Sequence, residues 1–92
     1  MKVLYHPKAR SDDIPRLGPD TASRIEKAIR ERIGIEPEKY GLPLKRGLSG
    51  YRKLRVGDYR VIYYVKGDEV RILMIGHRSD VYARVKKRTP FI

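Results

Sequence analysis

Three cations and two tyrosines recur at alternate positions around a short turn: Tyr51, Lys53 and Arg55 precede Gly57-Asp58, and Arg60, Ile62 and Tyr64 follow it. Side chains alternate faces along a strand, so this set shares one face of a strand pair. A two-residue connection with Gly first predicts a hairpin with a type II′ turn. The register then sets Val56 opposite Tyr59, Arg55 opposite Arg60, Leu54 opposite Val61 and Lys53 opposite Ile62. Like charges directly opposite destabilise a sheet. At a separation of about 5.5 Å the repulsion is roughly 3 kcal/mol at an effective dielectric near 20, and under ~1 kcal/mol in bulk water. Two arginines splayed into solvent would escape most of it. Lys53 on the same face argues for an anion site instead, and the backbone of RNA or DNA is a polyanion that would relieve the repulsion.

The opposite face of the same ribbon carries Leu54, Val56, Tyr59, Val61, Tyr63 and Val65, a core face. Gly67-Asp68 predicts a second tight turn into a strand over residues 69–77, with Lys66 opposite Glu69, Val65 opposite Val70, Ile62 opposite Leu73 and Arg60 opposite Ile75. By parity Val70, Ile72 and Met74 join the core face, while Arg71, Leu73, Ile75 and His77 lie on the cationic side. The apolar members of that side need a cover, and the C-terminal segment is the candidate. Ser79-Asp80 resembles a helix N-cap before residues 81–87, whose end is basic through Arg84, Lys86, Lys87 and Arg88. Upstream, residues 2–6 read as a strand ended by Pro7, and residues 8–17 as a helical turn or two interrupted by Pro15. Residues 20–33 form the strongest helix signal, with Pro19 at its first position, Gly34 at its C-terminal cap, a Glu26–Arg30 pair, and Ala22, Ile25, Ile29 and Ile33 on one stripe. Residues 36–50, rich in Pro and Gly, read as a loop. The expected fold class is α+β: an N-terminal strand, two helices, then an antiparallel three-stranded meander in one sheet with helices on one face, and a short C-terminal helix.

Ninety-two residues make one small domain, taken as 1–92, with a single core. Lys and Arg number 22 against 11 Asp and Glu, a formal charge of +11, which favours nucleic acid, ribosome or an acidic protein as partner. There is no cysteine, hence no disulfide and no Cys-based zinc site. The N-terminal residues lack a signal-peptide pattern and no stretch could span a bilayer, so a cytoplasmic location is expected. His6 and His77 are far apart and lack a carboxylate motif, so no metal or cofactor is expected.

The motifs Gly47-Leu48-Ser49-Gly50-Tyr51-Arg52-Lys53-Leu54-Arg55-Val56-Gly57-Asp58-Tyr59-Arg60-Val61-Ile62-Tyr63 and Ile75-Gly76-His77-Arg78-Ser79-Asp80-Val81-Tyr82 resemble those of the RelE/ParE toxin superfamily. The resemblance extends over nearly the whole chain and is most specific in residues 47–82. It implies a toxin of a type II toxin–antitoxin system, RelE-like: a ribosome-dependent mRNA endoribonuclease (mRNA interferase) that inhibits translation. An acidic RelB-like antitoxin would hold it inactive in a hetero-oligomer, with ribosome and mRNA as its other partners. On this resemblance Lys53 and Arg55 match basic residues of the second strand, Arg60 the arginine after the hairpin turn, Arg78 the arginine ending the last strand, and Tyr82 the tyrosine of the terminal segment. Tyr51 stands where RelE has a further lysine, His77 where RelE has a lysine, and the stretch leading to Tyr82 is shorter here.

Cleavage of RNA by attack of the 2′-hydroxyl on the neighbouring phosphate needs a base, a cationic clamp for the phosphorane and an acid for the leaving oxygen. Arg60 and Arg78 suit the clamp, because guanidinium stays charged and binds phosphate oxygens bidentately. Tyr82, Lys53 and His77 are the alternatives for the base. Arg55, Lys53 and Tyr51 would bind phosphate or stack on a base, and the solvated cluster of Arg84, Lys86 and Lys87 would touch RNA or antitoxin. Two other readings stay open: a ParE-like inhibitor of DNA gyrase without nuclease activity, and an inactive RNA-binding module.

Overall fold

The computed structural model describes residues 1–44 and 48–88. Gly47, which opens the motif quoted above, lies outside that range. Strand β1 (Lys2–Tyr5) leads into a helical run of a π turn (Ala9–Asp13) and an α-helical turn (Ile14–Leu17), together α1. Pro15 was expected to interrupt this run, yet it stays helical: the Ile14 amide donates to the Ala9 carbonyl across the wider π turn, just before the residue that has no N–H to donate. Helix α2 (Pro19–Ala28) starts with Pro19 at its first turn and continues as a π turn over Ile29–Ile33. Gly34 closes it with a right-handed φ of −67°. A Cβ there would lie 3.0 Å from the Arg30 and Ile29 carbonyl oxygens, so close approach rather than a left-handed turn favours glycine.

The expected loop over residues 36–50 carries regular structure in its described part, residues 36–44. It holds a short helix α3 (Pro37–Tyr40) and a two-residue strand β2 (Leu42–Pro43). Two side chains from the sheet fix it: the Tyr63 hydroxyl donates to the Pro37 carbonyl, and Arg52 Nη2 donates to the Gly41 and Glu38 carbonyls at 2.6 and 2.9 Å. Burial pushes the Tyr63 phenol up, so it remains a neutral donor. A Cβ on Gly41 would fall 1.6 Å from the Tyr63 hydroxyl.

Strands β3 (Arg52–Val56), β4 (Tyr59–Lys66) and β5 (Glu69–His77) form the antiparallel meander, and helix α4 (Val81–Val85) follows. The sheet has five strands in the order β1-β5-β4-β3-β2, with β1 parallel to β5 and β2 antiparallel to β3. Gly57 and Gly67 take φ of +60° and +61°, as tight hairpin turns require. The β3–β4 register is the expected one, Arg55 opposite Arg60 included.

The β4–β5 register is not. It holds from Lys66↔Glu69 to Tyr63↔Ile72, then shifts, so that Ile62 faces Met74 and Arg60 faces Gly76. The expected pairs Ile62–Leu73 and Arg60–Ile75 are therefore corrected. An extra residue in β5 turns Leu73 and Met74 to the same side, and later parity reverses. Ile75 thus packs in the inner core with Ile25, Ile29, Ile33, Leu54, Val61, Tyr63, Val70 and Ile72, under α2. Met74 instead joins Ile62, Leu73 and Leu48 on the outer face, beneath Val81 and Val85 of α4. The C-terminal segment is the cover the sequence called for.

Candidate functional site

Five residues of α4 are too few to hold a helix alone, so tertiary contacts place it. Val81 and Val85 are fully buried, which contributes about 1.5–3 kcal/mol each. A second tie is ionic. Asp13 of α1 is 1 % exposed and accepts from Arg88 at 2.6 and 3.2 Å, from Arg84 at 3.4 Å and from the Ile75 amide at 2.9 Å. Arg88 Nη1 also donates to the Leu73 carbonyl at 3.2 Å. The basic end of α4 was expected to be a solvated cluster. Arg84 and Arg88 correct that: a carboxylate buried without cations would be too costly, so the two guanidiniums fold back onto it. Arg84 also approaches Asp80 at 3.8 Å.

Anchored in this way, α4 forms one wall of a cleft of about 540 Å³ over the outer face of the hairpin, lined by Lys53, Arg55, Arg60, Arg78, His77 and Tyr82, with Leu42 and Ser79. Lys53 Nζ lies 5.4 Å above the Tyr82 ring, within cation–π range. Arg60 is only 7 % exposed, and its Nη1 donates to the Gly57 and Tyr59 carbonyls at 3.0 and 2.8 Å. This fold-back gives both Nη1 protons to main-chain carbonyls, while Arg55 opposite is exposed to solvent, which screens the like-charge pairing. Its Nη2 and Nε keep three N–H donors without a protein partner among the described residues. No carboxylate lies within ion-pair distance of Lys53, Arg55 or Arg60 among those residues. Arg78 sits at the mouth, its amide donating to the Asp58 carbonyl at 2.8 Å and its exposed Nε 3.8 Å from the Asp58 carboxylate, a weak solvent-screened pair.

His77 reaches the cleft by a route that parity did not foresee. The register shift pairs it with the inward Tyr59, whose ring it meets edge-on at 5.6 Å, and the end of β5 then exposes it at the cleft rim. Its Nδ1 accepts the Ser79 amide at 3.1 Å and lies 2.8 Å from the Ser79 hydroxyl. With the Ser79 amide donating to Nδ1, a neutral His77 ring carries its proton on Nε2.

Of the residues expected at the site, Lys53, Arg55, Arg60, His77, Arg78 and Tyr82 converge and four do not. Tyr51 packs against the outer apolar cluster and edge-on to Tyr64, ring centroids 5.4 Å apart, because the outer face beyond Ile62 is a second core. Arg84 belongs to the Asp13 cluster. Lys86 and Lys87 lie past the end of α4, exposed and outside the cleft lining. Leu42 and Ser79 were missed. Ser79 stands two residues after His77, a spacing that could have suggested it, whereas Leu42 carried no signal. Among the described residues no group of His, Asp or Glu is arranged to hold a metal ion.

The fold that carries this cleft is one found in solved toxins. The toxin–antitoxin complex RelBE2 from Mycobacterium tuberculosis superimposes with a TM-score of 0.77 at 30% identity, over 84% of this chain and 96% of that one. A variant of Escherichia coli toxin RelE in the free state has the same fold, with a TM-score of 0.71 at 23% identity and 97% of each chain covered. In sequence, Toxin RelG of Mycobacterium tuberculosis is 32% identical over 74 residues, 78% of this chain and 85% of the relative. The family described as ParE toxin of type II toxin-antitoxin system, parDE, matches residues 3–82. The chain belongs to this toxin family, within the RelE/ParE superfamily.

Proposed function

We propose that this toxin is an endoribonuclease that cuts mRNA on the ribosome, and that an acidic antitoxin silences it by occupying the same cleft. The observation that carries the reading is the convergence around Tyr82 of Lys53, Arg55, Arg60 and Arg78, three of them without a carboxylate partner among the described residues. Arg60 is pre-oriented by two main-chain carbonyls and retains donors for the phosphate oxygens, so it would stabilise the phosphorane without reorganising. Arg78 at the mouth would bind the incoming phosphate. Tyr82, with the Lys53 ammonium over its ring, would take the proton of the 2′-hydroxyl or give one to the leaving oxygen. His77, with Nδ1 occupied, would donate to a phosphate oxygen from Nε2. The antitoxin follows from the solved relative that is itself a toxin–antitoxin complex, and from a net charge of +11 that an acidic chain would neutralise.

In a reconstituted translation reaction, mapping of mRNA ends should reveal cuts with the wild type, reduced ~10²–10³-fold by Arg60→Ala. Intact mRNA under conditions where the protein arrests growth would reject the reading. The match to the ParE toxin family favours one alternative, inhibition of DNA gyrase. Loss of gyrase supercoiling activity with undamaged mRNA would establish it.

A further inference from the structure

A second basic groove lies on the helical side of the hairpin, lined by Arg24, Lys27 and Arg32 of the α2 run and by Arg55 of β3, with Glu31 as the one carboxylate among its described lining residues. Arg55 lines the first cleft as well. The two grooves meet at the hairpin tip. There Arg60 donates to the Gly57 carbonyl at 3.0 Å, while on the helical side the Arg24 guanidinium lies so near that a Cβ on Gly57 would fall 2.1 Å from its Nη2. The bare glycine lets the two guanidiniums flank one turn, with the exposed Arg55 side chain beside them. Among the described residues none of Arg24, Lys27, Arg32 and Arg55 has a carboxylate within ion-pair distance, whereas Arg71, Arg84 and Arg88 all do.

We infer that the groove of Arg24, Lys27 and Arg32 is a second phosphodiester-binding site, continuous with the cleft through Arg55, over which a nucleic-acid strand held in the cleft runs on around the hairpin tip. This rests on the reading of the cleft as an RNA site and extends it. Continuity across Arg55 and the excess of unpaired cations select a phosphate backbone as occupant. Among its described lining residues the groove offers only Ala28, Val56 and Gly57 as apolar lining, little for an apolar peptide face to bury.

The test measures binding of a long 2′-O-methyl RNA, which cannot be cleaved by 2′-hydroxyl attack, as a function of salt. Each phosphate contact on a single strand contributes about 0.7 to the slope of log K against log salt, so Arg24→Gln/Arg32→Gln should flatten it by about 1.4. Binding of a trinucleotide that fills only the cleft should not change. Lys2→Gln/Lys66→Gln removes the same charge at the far end of the sheet, beside the Gly67 turn, and should leave the slope near that of the wild type. Equal slopes for the two double variants would overturn the inference. So would an unchanged RNA slope with weakened binding of an acidic antitoxin, which would give the groove to a protein. A flattened slope in a protein that fails to cut mRNA would sustain the groove and reject the nuclease. An absence of any salt-dependent RNA binding would overturn the inference and leave cleavage on the ribosome to the translation assay.

Discussion

Arg60 donates twice to main-chain carbonyls and still lines the cleft, so on the proposed function one side chain would serve both structure and chemistry. Arg60→Ala should lower unfolding free energy by about 1–3 kcal/mol in a urea titration, because two carbonyls lose a charged donor. Its effect on cleavage should be larger than that loss explains. His77 makes a sharper distinction. With Nδ1 occupied by the Ser79 amide it is a donor from Nε2, and glutamine can supply a comparable N–H. His77→Gln should keep cleavage within ~10-fold of the wild type, where loss of a general base would cost ~10²–10⁴-fold. The pH–rate profile of the variant should retain its shape.

The elements that carry these residues are held by contacts the sequence only partly discloses. The β3–β4 register was legible because a Gly-first two-residue turn leaves one pairing and the alternation confirms it. The β5 bulge was not: Leu73, Met74 and Ile75 are all apolar, so no polar residue marks the extra one. Asp13 was equally hidden: residues 8–17 read only as a helical turn or two, and the arginines that pair with Asp13 lie 71 and 75 residues further on. Asp13→Asn should destabilise the protein by roughly 3–5 kcal/mol, the usual cost of removing one partner from a buried pair. Hydrogen exchange should show the loss first in α4 and at the Ile75 amide. Nearby, burial, with the Arg88 and Lys8 charges next, lowers the affinity of His6 for a proton relative to its ordinary value of 6.5. The unfolded chain then binds the extra proton first, so stability falls as pH drops through about 6.5. A melting-temperature series from pH 7.5 to 5.5 should slope downward, and His6→Gln should flatten that part of it.

At the scale of the molecule, a +11 chain keeps Asp13 inside to fasten its C-terminal helix and leaves Lys53, Arg55 and Arg60 facing a cleft without carboxylates among the described residues. The charge balance favoured a nucleic acid, a ribosome or an acidic protein as partner, and the hairpin pattern gathered the cations on one face. The cleft's outline needed the bulge, the α4 anchor and the Leu42 edge, all products of tertiary packing. The most direct measurement of the central claim is cleavage of an mRNA carrying a single 2′-deoxy nucleotide at the mapped scissile position, in the same translation reaction as the all-ribose message. The expected result is loss of the cut at that site with undiminished binding, while the all-ribose message yields a 2′,3′-cyclic phosphate end. Equal cleavage of both messages would contradict a cleft that works by 2′-hydroxyl attack.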